Sequence, residues 1–151
     1  MAESIFDVLR DDHDTQRTLL DLIEQTHGDS EGRRELFARL RAEALAHAAA
    51  EERIFYAALM ADERTREKAR HSVVEHQEAE AILDELEEMD MSSPGWIQRF
   101  RTVAEDLRHH VDEEEHEVFQ QAGRVLTEQQ KRSMAAEFRA EKADDRDRLA
   151  S

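Results

Sequence analysis

Histidine and glutamate recur four residues apart along this chain, at His47/Glu51, His76/Glu80 and His110/Glu114. That spacing is close to one helical turn, so both members of a pair reach one point in space. Imidazole and carboxylate together suit iron, manganese or zinc. The chain has 8 His and no Cys, so any metal it binds takes nitrogen and oxygen ligands. Spacing alone is a weak signal, because Glu is abundant: His27/Glu31, His71/Glu75 and His109/Glu113 match it too. Facing separates them. At about 100° per residue, His47, His76 and His110 fall within the apolar stripes of their segments, and His13 does so on the first. His71, His109 and His116 point away, and His27 stands at a segment end beside Gly28. These four read as solvated or terminal histidines.

The segments that must position the inward groups are helical. Ala, Leu, Glu and Arg dominate, with 4 Gly and 1 Pro in 151 residues, a length that fits one domain. A first helix is expected from about Glu3 to His27, stopped by Gly28. Asp29 or Ser30 caps a second that reaches about Met60. A third runs from about Asp62 to Asp90. Ser92-Ser93-Pro94-Gly95 is the clearest boundary, with Ser93 as N-cap and Pro94 at the first position of a fourth helix that ends near Gly123. Thr127 to Gln130 resembles a capping box. The fifth helix it opens has few apolar anchors, mainly Met134 and Phe138, and is expected to dock lightly or fray. No repeat is strict enough for a solenoid. The expected fold is all-α: an up-down-up-down four-helix bundle over residues 1–124, with an additional C-terminal helix and charged tail over 125–151.

In such a bundle the inward histidines lie at depths that agree within about one helical turn. His13, His47, Glu51, His76, Glu80, His110 and Glu114 then share one layer. Seven polar groups in a dry core are costly unless compensated. A mutual His–Glu hydrogen-bond network is one solution, and a metal centre is another. They are too many for one tetrahedral zinc and about right for two metals with bridging carboxylates. Glu24/His27 and Glu113/His116 spell the Glu-x-x-His of ferritin-like sites, but neither lies where that site needs it. The formal net charge of −16 repels phosphate backbones, so no nucleic-acid partner is expected. No apolar run is long enough for a membrane span. The first residues lack the basic and apolar regions of a signal peptide, which suggests a cytoplasmic protein. Trp96 and Tyr56 read as core.

Taken as a set, Asp12-His13-Asp14, His47-Ala-Ala-Ala-Glu51-Glu52, His76-Gln-Glu-Ala-Glu80 and His110-Val-Asp-Glu-Glu114-Glu115 resemble the hemerythrin-like family and its HHE cation-binding domains, in family order across residues 3–123. The resemblance implies two non-haem iron ions, oxo- or hydroxo-bridged, with Mn or Zn able to replace them. Glu51 and Glu114 would bridge, His13 and His47 would serve one iron, and His76 and His110 the other. Glu80 stands where oxygen-carrying members have His. As a ligand it would add negative charge and favour the ferric state, against reversible oxygen carriage. Members with this reduced His set resemble sensors, nitric-oxide-linked, peroxide-decomposing and iron-centre repair proteins. The leading expectation is a protein that binds or senses a small oxidant (O₂, NO or peroxide). The alternatives are turnover of peroxide or iron-centre repair, and a scaffold with a structural metal whose last helix contacts a partner. No nucleophile arrangement is evident, and no catalytic residue is assigned.

Overall fold

The computed structural model describes residues 3–150. Every regular element among them is helical. Helix α1 spans Ile5–Glu24. Ser4 opens it with a capping box: its hydroxyl accepts the Asp7 N–H at 3.4 Å, and the Asp7 carboxylate accepts the Ser4 N–H at 3.1 Å. It stops short of the expected His27. The Thr26 hydroxyl turns back on the Ile23 carbonyl at 2.6 Å, and Gly28 follows in the left-handed region, at φ 60°.

Helix α2 runs over Glu31–Glu51 and continues through a π-helical segment, Glu52–Tyr56, into a last turn, Ala57–Met60. Helix α3 is Arg66–Glu88. Helix α4 starts at Pro94 behind the Ser93 cap and runs to Glu113. It too passes through a π segment, Glu114–Val118, into Phe119–Val125. Gly123 does not stop it; the extended backbone of Leu126, at ψ 138°, does. Helix α5 spans Glu128–Ala150. Thr127 and Gln130 cap it reciprocally, at 2.8 and 3.1 Å.

Helices α1 to α4 form the up-down-up-down bundle. Its core is two apolar clusters. One holds Ile5, Leu9, Phe55, Leu59, Val118 and Phe119; the other holds Leu20, Ile23, Phe37, Leu83, Trp96 and Phe100. The inward histidines lie between the two, so apolar packing shields the layer at both ends. Trp96 is core, as expected: its ring stacks on Phe100, and its N–H donates to the Leu86 carbonyl at 3.1 Å.

Helix α5 docks more firmly than its composition suggests. It lies along α1 and α2, and Met134, Ala135 and Phe138 enter the first cluster. Lys142 and Asp145 are buried as well. Lys142 reaches Asp12 at 2.8 Å and also Glu43, and Arg53 reaches Asp145 at 3.1 Å. Ion pairs hold the half of the helix that an apolar count leaves out. Among the described residues, no helix is long and apolar enough to cross a membrane.

Candidate metal centre

Four imidazoles, one from each bundle helix, enter the layer in the same way. Each donates its Nδ1–H to a carboxylate. His13 donates to Glu115 at 2.8 Å, His47 to Asp12 at 2.8 Å, His76 to Glu52 at 3.1 Å and His110 to Glu75 at 2.9 Å. A carboxylate on Nδ1 fixes the tautomer and leaves a lone pair on Nε2. All four Nε2 atoms turn toward Glu51 and Glu114, whose exposures are 0% and 1%.

The inner distances are not those of a hydrogen-bond network. Glu51 places one oxygen 3.4 Å from His47 Nε2 and the other 3.2 Å from His76 Nε2. Glu114 places one oxygen 3.3 Å from His13 Nε2 and the other 3.4 Å from His110 Nε2. Both Glu51 oxygens, one Glu114 oxygen, His13 Nε2 and His47 Nε2 are buried without a hydrogen-bond partner. An orphaned buried acceptor costs about 1–3 kcal/mol. His76 Nε2 and His110 Nε2 face each other at 3.1 Å, which sets two lone pairs together unless a cation or proton lies between them. Ligand atoms about 2.0–2.2 Å from a metal sit roughly 3.0–3.5 Å from one another. The atoms form two groups that suit a metal ion: His13, His47, Glu51 and Glu114 in one, and Glu51, His76 and His110 in the other. Glu51 belongs to both, and Glu114 spans from His13 to His110. The donor set fits two cations.

The layer has an internal two-fold. An acid followed by a histidine occurs on α1 (Asp12-His13) and on α3 (Glu75-His76). His-x-x-x-Glu-Glu occurs on α2 (His47 to Glu52) and on α4 (His110 to Glu115). The acid that holds the next helix's imidazole is 35 residues before it in both halves. Each π segment begins directly after, or at, the glutamate that spans the layer. Its wide turn is closed by Ala57 N–H on the Glu52 carbonyl and by Phe119 N–H on the Glu114 carbonyl. On each of these helices two consecutive glutamates serve one site, as Asp12-His13 and Glu75-His76 do on α1 and α3: Glu51 and Glu114 face the centre, while Glu52 and Glu115 reach an Nδ1 on a neighbouring helix. Aromatic rings also correspond, Tyr56 beside His76 and Phe119 beside His13.

The two-fold is broken at its edges. Asp12 is paired with Lys142 at 2.8 Å, and Glu115 with Arg17 at 3.0 Å. Glu52 and Glu75 have only histidines as cationic partners among the described residues. Burial works against charge on His47 and His110, yet the surrounding carboxylates outweigh it and hold both at about 10. His13 and His76 are raised against their burial for the same reason, by Glu114 and Glu115 and by Glu51 and Glu52. Burial would lift Glu115, but His13 and Arg17 pull it down to about 2. The site therefore calls for positive charge, as protons or as metal.

Glu80 is not brought into either group. The inward stripe of α3 runs through Ala69, Ser72, His76, Ala79, Leu83 and Leu86. Glu80 lies about 100° past Ala79, on the solvent side, and is exposed. It borders a small cavity beside His47, His76 and His110, about 20 Å³ in volume, walled by Ala44, Ala48 and Ala79. Gln16 also lines it, with its amide nitrogen buried and without a partner. Tyr56 is more than core filler, because its hydroxyl donates to Glu114. Facing and depth do not single out the acids on Nδ1. Each is the immediate neighbour of an inward residue (Asp12-His13, Glu75-His76, Glu51-Glu52, Glu114-Glu115), and that adjacency was the available signal.

A family model described as the hemerythrin HHE cation binding domain matches residues 4–122. A curated protein of Nostoc sp. described as a DNA nickase is 28% identical over 149 residues, covering 97% of this chain and 41% of that protein. The chain thus spans less than half of that relative's length. The crystal structure of a hemerythrin HHE cation binding domain-containing protein from Mycobacterium kansasii matches with a TM-score of 0.86 at 23% identity, over 96% of this chain and 88% of that one. That likeness is one of fold.

Proposed function

The chain belongs to the hemerythrin HHE cation-binding domain family, and from that premise we propose that its polar layer holds two non-haem iron ions and binds or senses a small oxidant such as O₂, NO or peroxide. The carrying observation is the set of four imidazoles, each held at Nδ1 by a carboxylate and turned at Nε2 toward Glu51 and Glu114, of whose four oxygens three are otherwise without a partner. His13 and His47 serve one ion, and His76 and His110 the other. Glu51 and Glu114 span both. Imidazole with carboxylate suits iron, and manganese or zinc could replace it. Charge supports a cationic guest. Among the described residues, six carboxylates (Asp12, Glu51, Glu52, Glu75, Glu114 and Glu115) have Lys142 and Arg17 as their lysine or arginine partners. Both are shared, Lys142 with Glu43 and Arg17 with Asp14 and Asp112, so the layer keeps an excess of negative charge for metal ions to offset.

Bound iron would supply electron exchange with the oxidant. The chain's own groups do the rest. Asp12, Glu52, Glu75 and Glu115 fix the imidazole tautomers and strengthen Nε2 as a donor. Tyr56 steadies Glu114 through its hydroxyl. Ala44, Ala48 and Ala79 leave a cavity of about 20 Å³, room for little more than one water-sized molecule. Gln16 lines it with an unpaired amide N–H, a donor suited to an anionic or polarised guest. With Glu80 outside both groups, His13, His47, Glu51 and Glu114 would hold one ion and His76, His110 and Glu51 the other, which would leave room for that guest.

The nickase activity of the Nostoc relative is not carried over. A net charge of −16 opposes approach to a phosphate backbone. The test is metal content and absorption of protein purified without chelator. About two irons per chain are expected, with near-ultraviolet bands that shift on adding azide. His47→Ala and His110→Ala should each lose iron; unchanged iron content in both would sink the reading.

A further inference from the structure

Outside the buried layer, two more His-x-x-x-Glu pairs meet across the outer faces of α3 and α4. His71 Nε2 lies 3.5 Å from a Glu75 oxygen and 3.6 Å from a Glu113 oxygen. These three ligand atoms lie within 4.8 Å of one another. Both distances are long for a hydrogen bond, and both are close to the ligand-to-ligand edges around a cation held at about 2.0–2.2 Å. Each carboxylate has its other oxygen already fixed. Glu75 accepts there from His110 Nδ1 at 2.9 Å, and Glu113 meets His109 Nε2 at 3.1 Å. The oxygens nearest His71 are the ones left over. The His71 side chain is 58% exposed, so solvent ions reach it.

A separate feature points the same way. A cleft of about 70 Å³ opens between α3 and α4, with Glu75, Glu78, Asp106 and His109 at its outer rim and His76 and His110 at its inner end. Acid outside and imidazole inside make a graded path for a cation. Glu75 lines the cleft and joins it to the surface group, since one oxygen faces His71 and the other holds His110.

We propose that His71, Glu75 and Glu113 form a second, surface site for a divalent cation, backed by His109, from which ions pass along the cleft to the buried centre. Three protein ligands leave the remaining positions to water, which suits a site that takes up and releases its ion. One nitrogen and two oxygens suit Fe²⁺, Mn²⁺ or Zn²⁺. The role in loading rests on the reading of the buried centre given above; the existence of the surface site does not. The competing account is a pair of ordinary surface His–Glu contacts.

The full chain decides between them by equilibrium dialysis against Zn²⁺. Wild type should retain about one equivalent more than His71→Ala or Glu113→Gln, and His27→Ala should match wild type. Equal Zn²⁺ uptake by wild type and both variants overturns the surface site. In a second arm Fe²⁺ is added to metal-free protein. The initial loading rate of the buried centre in His71→Ala, followed by its near-ultraviolet bands, should fall roughly tenfold, with the same final band intensity. An unchanged rate overturns the loading role. If wild type takes up only the equivalent that His71→Ala lacks, the reading of the buried centre fails while the surface site stands.

Discussion

At the scale of single residues, both nitrogens of every inward imidazole are committed, Nδ1 to an acid and Nε2 to the centre. The two kinds of acid have different consequences when changed. Glu51→Gln should abolish binding of both ions, because Glu51 faces His47 and His76 at once. Glu80→Gln should leave metal content unchanged, since Glu80 is exposed on α3; parallel metal analysis of the two variants checks this. Asp12→Asn, which weakens the hold on His47 Nδ1 and the pairing with Lys142, should lower metal affinity by about 10–100-fold. pH separates the metal-free and loaded forms. His47 and His110 are raised from 6.5 to about 10 in the metal-free chain. Groups raised on folding stabilise fully below their unfolded value and lose that contribution as pH climbs through the folded value. Chelated protein should therefore melt at progressively lower temperature from about pH 6.5 to 10, while loaded protein resists, its Nε2 atoms holding metal. A metal-free melting temperature that is flat across this window would contradict the assignment.

At the scale of elements, the two π segments reset the register of α2 and α4 just past the glutamates that span the layer. A regular helix turns each residue about 100° past the last; the wide turn instead holds Tyr56, five residues after Glu51, buried where its hydroxyl donates to Glu114. Deleting Arg53 should restore a regular turn, cut metal affinity by more than about tenfold and shift far-ultraviolet circular dichroism little. Arg53→Ala is the control, because it removes the Arg53–Asp145 pair without changing register; a deletion that binds metal as the control does would sink the argument. The π segments also mark the limit of what a sequence can convey. Facing and depth follow from the period and rise common to all helices, and they were enough to bring His13, His47, Glu51, His76, His110 and Glu114 into one layer. Glu80 stands four residues past His76, as Glu51 does past His47 and Glu114 past His110, so the rule cannot tell it from them; on α3 it is Ala79 that holds the inward position. The π turns answer to partners on other helices, which local spacing does not carry. Helix α5 was underrated for a related reason: Lys142 and Asp145 are buried by their ion partners, and hydropathy counts them as surface.

At the scale of the whole molecule, the bundle is two helical hairpins, α1–α2 and α3–α4, bringing equivalent residues to a shared layer between apolar clusters. The pairing of acid-His with His-x-x-x-Glu-Glu in each half suggests why four helices suffice: each hairpin supplies two imidazoles, one spanning carboxylate and two of the four acids on Nδ1. The fifth helix has no counterpart across the axis. Lys142 from α5 neutralises Asp12, and Arg17 neutralises Glu115, both in the half built around His13 and His47. Glu52 and Glu75, in the other half, have no lysine or arginine partner among the described residues. Two seats alike in ligands thus differ in electrostatic background, and they should fill in order. The His76–His110 seat, with the richer negative surroundings and the cleft at its back, should take the first ion, and the His13–His47 seat the second. Titration of metal-free protein with Mn²⁺, followed by magnetic resonance, should resolve a tight and a weaker step. His76→Ala should erase the tight step and His13→Ala the weaker one. A helix outside the four-helix frame, together with one arginine inside it, would then be what turns a symmetric vessel into one with a sequence of occupancy.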